Sequence, residues 1–154
     1  MKSKILLGAL ALCTLLALLN LDRLAYYRAV LTWRAHGIRE YEMDVVAVTG
    51  MAGALMPSHI RVRDGKVIAV SNPSMNVPAA YDDSRTVDGQ FASIEWFMNQ
   101  GVLSAGMMQV VTYDSVFGYP TSIMVMPRPG VMITDSIWQT TIKNFTVLNG
   151  RAVP

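Results

Sequence analysis

The chain has 154 residues, 52% of them hydrophobic, and a formal charge of +2. Lys2 and Lys4 account for that charge, and from Asp22 onward 11 Lys and Arg balance 11 Asp and Glu. A neutral domain without a basic stripe lacks the electrostatic footprint of nucleic-acid binding, and the single cysteine, Cys13, leaves no disulfide, thiolate nucleophile or Cys-based metal site after it.

After the two lysines, Ile5 to Leu21 runs for 17 residues without a charge. That length is at the lower limit for crossing a hydrocarbon layer about 30 Å thick. The run ends in Leu-Asn-Leu-Asp-Arg, a poor cleavage site, and Leu12 precedes Cys13 where a lipoprotein has a small residue. The segment therefore reads as an uncleaved signal anchor over residues 1–21, followed by an extracytoplasmic domain over 22–154. No Gly or Pro occurs between Ala9 and His36, so the spacing predicts a helix continuing to His36. Leu24, Tyr27, Leu31 and Arg34 repeat at helical steps and give it one partly apolar face. Arg23, Tyr26, Tyr27 and Arg28 are placed to meet lipid head groups.

Gly37 ends this helix as a C′ residue does. Tyr41 to Thr49 reads as a strand, and Gly50 to Pro57 as an apolar loop. Ile60 to Val70 alternates on both sides of Asp64-Gly65, the strongest short hairpin signal. Ser71 to Arg85 reads as a surface loop. A second helix starts after Thr86 as N-cap, with Asp88 in its first turn. Its residues Phe91, Ile94, Trp96, Phe97 and Met98 predict packing on a sheet. Met108–Tyr113, Thr121–Met126 and Ile137–Leu148 read as three more strands. The fold class is α+β, with helices packed on an antiparallel sheet. The order helix, three strands, helix, three strands raises the expectation of two related halves.

Residues with chemistry are few. His36 sits at a helix end and His59 at the start of a strand. No phosphate loop, nucleophile elbow or dinucleotide fingerprint occurs. Asp82, Asp83 and Asp88 lack the alternating spacing of a calcium loop. Glu40, Glu42 and Asp44 alternate on one face, as do Arg61 and Arg63, which predicts cross-strand pairing. A two-carboxylate hydrolase on that face is the one catalytic alternative. The sequon Asn144-Phe-Thr146 lies in a predicted strand. No cofactor or metal is implied.

Trp33-x-x-x-Gly-Ile-x-x-Tyr41, Val62-x-Asp-Gly-Lys-Val, Thr86-Val, Phe91, and Val111-x-Tyr-Asp with Gly118-Tyr-Pro120 together resemble a bacterial family of small exported proteins. That family, often lipoproteins, is classed as a domain of unknown function, and the resemblance spans residues 30 to 148. It implies an extracytoplasmic domain and no particular activity. The chain departs from the family in having no lipobox. It also lacks the cysteine pair found near the first strands of some members, where Met51 and Met56 stand instead.

The expected function is that of a non-catalytic, single-span accessory subunit on the bacterial inner membrane. Its partners would be lipids and the integral subunits of a larger complex, of respiratory or photosynthetic type. Met51, Leu55, Met56, Tyr113, Phe117 and Tyr119 are the candidate partner contacts. A free envelope protein binding a small ligand or peptide is the alternative, and it predicts a concave apolar pocket.

Overall fold

The structure is a computed structural model and describes residues 21–49, 53–54, 57–71, 82–100, 106–131 and 137–148. The apolar segment before Leu21 and the residues Met51, Leu55 and Met56 lie outside these. Helix α1 spans Leu21–His36. It is closed by Gly37 at φ +58°, whose N–H donates to the Arg34 carbonyl at 3.1 Å. Then follow β1 (Glu40–Thr49), the two-residue β2 (Gly53–Ala54), β3 (Ser58–Arg63) and β4 (Lys66–Ser71). A short 3-10 turn, Asp83–Arg85, leads into α2 (Val87–Asn99), and β5 (Met107–Tyr113), β6 (Pro120–Pro127) and β7 (Trp138–Val147) complete the chain.

The strands form one antiparallel sheet in the order β4-β3-β1-β7-β6-β5, with β2 paired to the end of β1. The β3–β4 hairpin turns on Asp64 and Gly65 at φ +49° and +73°, the two left-handed residues that a type I′ turn requires. At α2 the Thr86 hydroxyl accepts from the Gly89 amide at 3.0 Å, as the expected N-cap. Beside it the Tyr41 hydroxyl accepts from the Val87 amide at 2.9 Å, so a strand residue supplies a second cap. Both helices lie on one face of the sheet and touch each other: Tyr26 meets Phe91 edge-on at 5.9 Å, and Trp33 Nε1 donates to Asp88 at 3.3 Å.

The core joins Tyr26, Val30 and Trp33 of α1 to Phe91 and Ile94 of α2 over Tyr41, Met43, Ile60, Val62, Ile123 and Ile142. Each fully buried side chain of this size contributes roughly 1.5–3 kcal/mol. One β-bulge serves this core. Asn144 and Phe145 together oppose a single position of β1, between Glu42 and Asp44, and Asn144 takes φ +50°. The extra residue returns Phe145 to the helix-bearing face, where it stacks on Tyr119 at 4.3 Å.

Three expectations are corrected. The buried face of α1 is Tyr26, Ala29, Val30 and Trp33, while Leu24, Tyr27 and Leu31 are 66%, 52% and 67% exposed. Trp96 does not pack on the sheet; it is 62% exposed. The halves do not repeat. Both meanders read third, second, first strand across the sheet, but alternate antiparallel pairing makes corresponding strands run in opposite directions. With both helices on the same face, only a reflection relates such halves, and no rotation superposes them.

Candidate binding site

The sheet face opposite the helices carries the charged residues, as the alternation of β1 and β3 predicted. Arg61 Nη2 and Arg63 Nη2 both reach Glu40 Oε1, at 3.0 and 2.8 Å. His59 Nδ1 lies 2.8 Å from Asp44 Oδ1 and its Nε2 lies 3.7 Å from Glu42. Asn144 Nδ2 donates to Asp44 Oδ2 at 2.6 Å, so the sequon asparagine anchors the bulge. The Asn144 amide, and after it the His59 ring, hold the Asp44 carboxyl below the usual carboxylate range. All three carboxylates are thus engaged by cross-strand neighbours, an arrangement that makes a ladder of ion pairs and hydrogen bonds. Among the described residues, no group of three His, Cys, Asp or Glu is placed to hold a metal ion.

The concave surface lies on the other face, along α2. Gly89, Ala92, Ser93 and Trp96 recur at steps of three and four, so small side chains line one flank of the helix. That flank, with Phe97, walls a cleft of about 870 Å³ whose floor includes Val125 and Trp138. Asp83, Ser84 and Asp88 supply polar groups to the lining. Asp83 is held in place by accepting from the Val67 amide at 3.0 Å, and Asp82 by accepting from the Ser84 amide at 2.9 Å. Two tryptophans, small residues between them and a few oxygens match the composition of sites that take apolar ligands or side chains. Trp96 and Trp138 were not among the expected contacts. The signal that could have found Trp96 is the pair of small residues Ala92 and Ser93 beside it on α2, which cannot fill the space a larger side chain would; nothing local marks Trp138.

The expected contacts are placed differently. Tyr113 lies parallel to Phe91 at 6.4 Å, and burial pushes its hydroxyl up. Phe117 meets His36 edge-on at 5.2 Å, and His36 Nδ1 pairs with the Thr32 carbonyl at 2.8 Å. Phe117 and Tyr119, both half-buried, also meet Phe145 of β7 at 5.9 and 4.3 Å, so the β5–β6 turn joins the C-terminal end of α1 to the sheet. Of the four residues expected to meet lipid head groups, Tyr26 is only 5% exposed and its hydroxyl donates to Glu95 at 3.4 Å, so its ring packs inside the domain. Arg23, Tyr27 and Arg28 face outward. Among the described residues no helix is long and apolar enough to cross a membrane.

A family described as a "Family of unknown function (DUF6174)" matches residues 25–147. Neither the curated proteins nor the solved structures contain a match to the chain.

Proposed function

The chain belongs to this family of unknown function, and from that premise we propose that it is a non-catalytic docking subunit tethered to a bacterial membrane. The observation that carries the reading is the cleft beside α2, which Trp96, 62% exposed, lines together with Trp138. A large aromatic side chain left in water beside an apolar hollow is the composition of an interface anchor. The apolar run Ile5–Leu21 supplies the tether, and the domain sits on the extracytoplasmic side. The exposed stripe Leu24, Tyr27 and Leu31, flanked by Arg23 and Arg28, suits a helix lying at the head groups. The cleft would receive an apolar segment of an integral subunit in a larger complex, of respiratory or photosynthetic type.

The cleft's volume also falls within the range of small-molecule sites, about 300–1,000 Å³. That supports the second reading, an envelope protein that binds a small apolar ligand or peptide. Purification of the full chain in mild detergent with mass spectrometry tests the first. A stoichiometric membrane partner is expected, and it is lost on Trp96→Ser while the circular dichroism spectrum is unchanged. A lone monomer refutes docking; a monomer retaining a small molecule, released by Trp96→Ser, establishes the second reading instead.

A further inference from the structure

The two edges of the sheet differ. Edge strand β4 opens on Lys66 and pairs with β3 through a register shift at Arg61/Val62, the devices that discourage edge-to-edge pairing. Edge strand β5, Met-Met-Gln-Val-Val-Thr-Tyr, has no charge, proline or glycine. Its one irregularity lies at the far end, between Thr112 and Tyr113. Among the described residues only β6 pairs with it.

The direction of its backbone groups follows from one bond. The Arg128 amide donates to the Gly106 carbonyl at 3.0 Å. Gly106, Met108 and Val110 therefore direct their backbone groups toward β6, while Met107, Gln109 and Val111 direct theirs to the open edge. The helical layer leaves that edge accessible. A groove of about 530 Å³ runs along it between Asp22, Arg23, Phe97, Met98 and β5.

Charge then selects the occupant. At one end of the edge the Arg128 side chain crosses over β5, its Nε donating to the Met107 carbonyl at 3.0 Å. At the other end Asp114 follows Tyr113, its Oδ1 accepting from the Val116 and Phe117 amides at 2.9 and 2.7 Å. A positive end, an apolar middle and a negative end form a strand complementary to itself when it is turned through a two-fold axis.

We propose that β5 pairs antiparallel with β5 of a second copy of this chain, about an axis through Val110, joining the two sheets into one. Val110 then faces Val110 of the second copy, and Met108 faces Thr112. Gln109 and Val111 exchange backbone hydrogen bonds. Arg128 meets Asp114 of the second copy at both ends. The edge-directed backbone groups of Gln109 and Val111 gain partners, and the interface is isologous, as closed dimers require. This pairing is independent of the cleft beside α2 and of what fills it.

The test uses the full chain in mild detergent with Cys13→Ser to remove the natural thiol. Directly opposed side chains in such a pair have Cβ atoms about 4.5–5.5 Å apart. Val110→Cys, whose residue lies on the axis, is expected to form a covalent dimer under mild oxidation. Met108→Cys and Thr112→Cys are each expected to stay uncrosslinked alone and to join when mixed. Ile68→Cys on β4 serves as the control and stays uncrosslinked. Arg128→Glu sets like charges together at both ends and should raise the dimer's dissociation constant about tenfold or more, whereas Arg128→Lys keeps it within a few-fold. Failure of Val110→Cys to crosslink, or equal crosslinking at Ile68→Cys, overturns the pairing. So does a complex with a different protein in which the Val110→Cys thiol is shielded from alkylation, which gives the edge to that protein's strand.

Discussion

Three glycines allow the cost of backbone conformation to be separated from the cost of close packing. Gly65 has φ +73° with nothing within 4 Å of a built Cβ, so an alanine there bears conformational strain alone. Gly89 lies within α2, and a Cβ on it would fall 2.4 Å from the Asp83 carbonyl oxygen and 2.7 Å from Ser84 backbone atoms. Gly118 combines both effects: φ is +82°, and a Cβ would stand 2.5 Å from the Ala29 carbonyl oxygen and 3.1 Å from the Trp33 amide. The left-handed conformation costs a non-glycine residue about 1–2 kcal/mol, and forcing atoms into a filled contact about 1–3 kcal/mol. Gly65→Ala is therefore expected to lose about 1–2 kcal/mol, Gly89→Ala about 1–3, and Gly118→Ala about 2–5. The atoms met at Gly118 are largely helix backbone, so relief requires α1 to lift from the β5–β6 turn. Urea unfolding followed by circular dichroism gives the three values. If Gly118→Ala loses no more than Gly65→Ala, the turn does not bear on α1 as described, and the clamp by the Gly-Tyr-Pro element is refuted.

Tyr41→Phe removes the hydroxyl that accepts from the Val87 amide in the core. Leaving that N–H unsatisfied costs about 1–3 kcal/mol in urea unfolding, and a loss under about 0.5 kcal/mol would show that the helix end finds another acceptor. For Asp44, whose carboxyl is held low by Asn144 and His59, the folded state binds fewer protons than the unfolded chain below about pH 4. Its contribution is complete above that range and is lost as pH falls through the depressed folded value. The fall in the urea midpoint between pH 6 and pH 3 should be shallower in Asp44→Asn than in the natural chain; equal falls would show that the contact does not persist in solution. Asn144→Ala removes both the bond to Asp44 and a residue suited to φ +50°, so it should be about 1 kcal/mol less stable than Asn144→Gly. A reversed order would remove the bulge from the account.

The limits of sequence reading show most clearly in α1. Two stripes on that helix are spaced for burial, Leu24/Tyr27/Leu31 and Tyr26/Ala29/Val30/Trp33. Periodicity cannot choose between them. The choice comes from groups distant in sequence: Ala29 is small enough for Gly118 to approach, and Trp33 finds Asp88 as its acceptor. The same holds for the cleft. The small residues of α2 are visible in the sequence, but whether they face a neighbour or a hollow depends on where Val125 and Trp138 are carried by the sheet.

Local rules decided the rest. Alternation marked the strands, Asp64-Gly65 marked the hairpin, and Thr86 marked the start of α2, because each depends on a few adjacent residues and their hydrogen bonds. By itself the sequence determined the two helices and the six longer strands, the charged face of β1 and β3 and a neutral domain behind an apolar segment, while β2 and the 3-10 turn Asp83–Arg85 lie in stretches that read as loops. Only the tertiary structure decided the strand order β4-β3-β1-β7-β6-β5, the inverted sense of the two meanders, the buried side of α1, and the exposure of Trp96 and of the β5 edge. Those are long-range outcomes, set by which surfaces meet after the chain has closed its loops, and no window of neighbouring residues contains them.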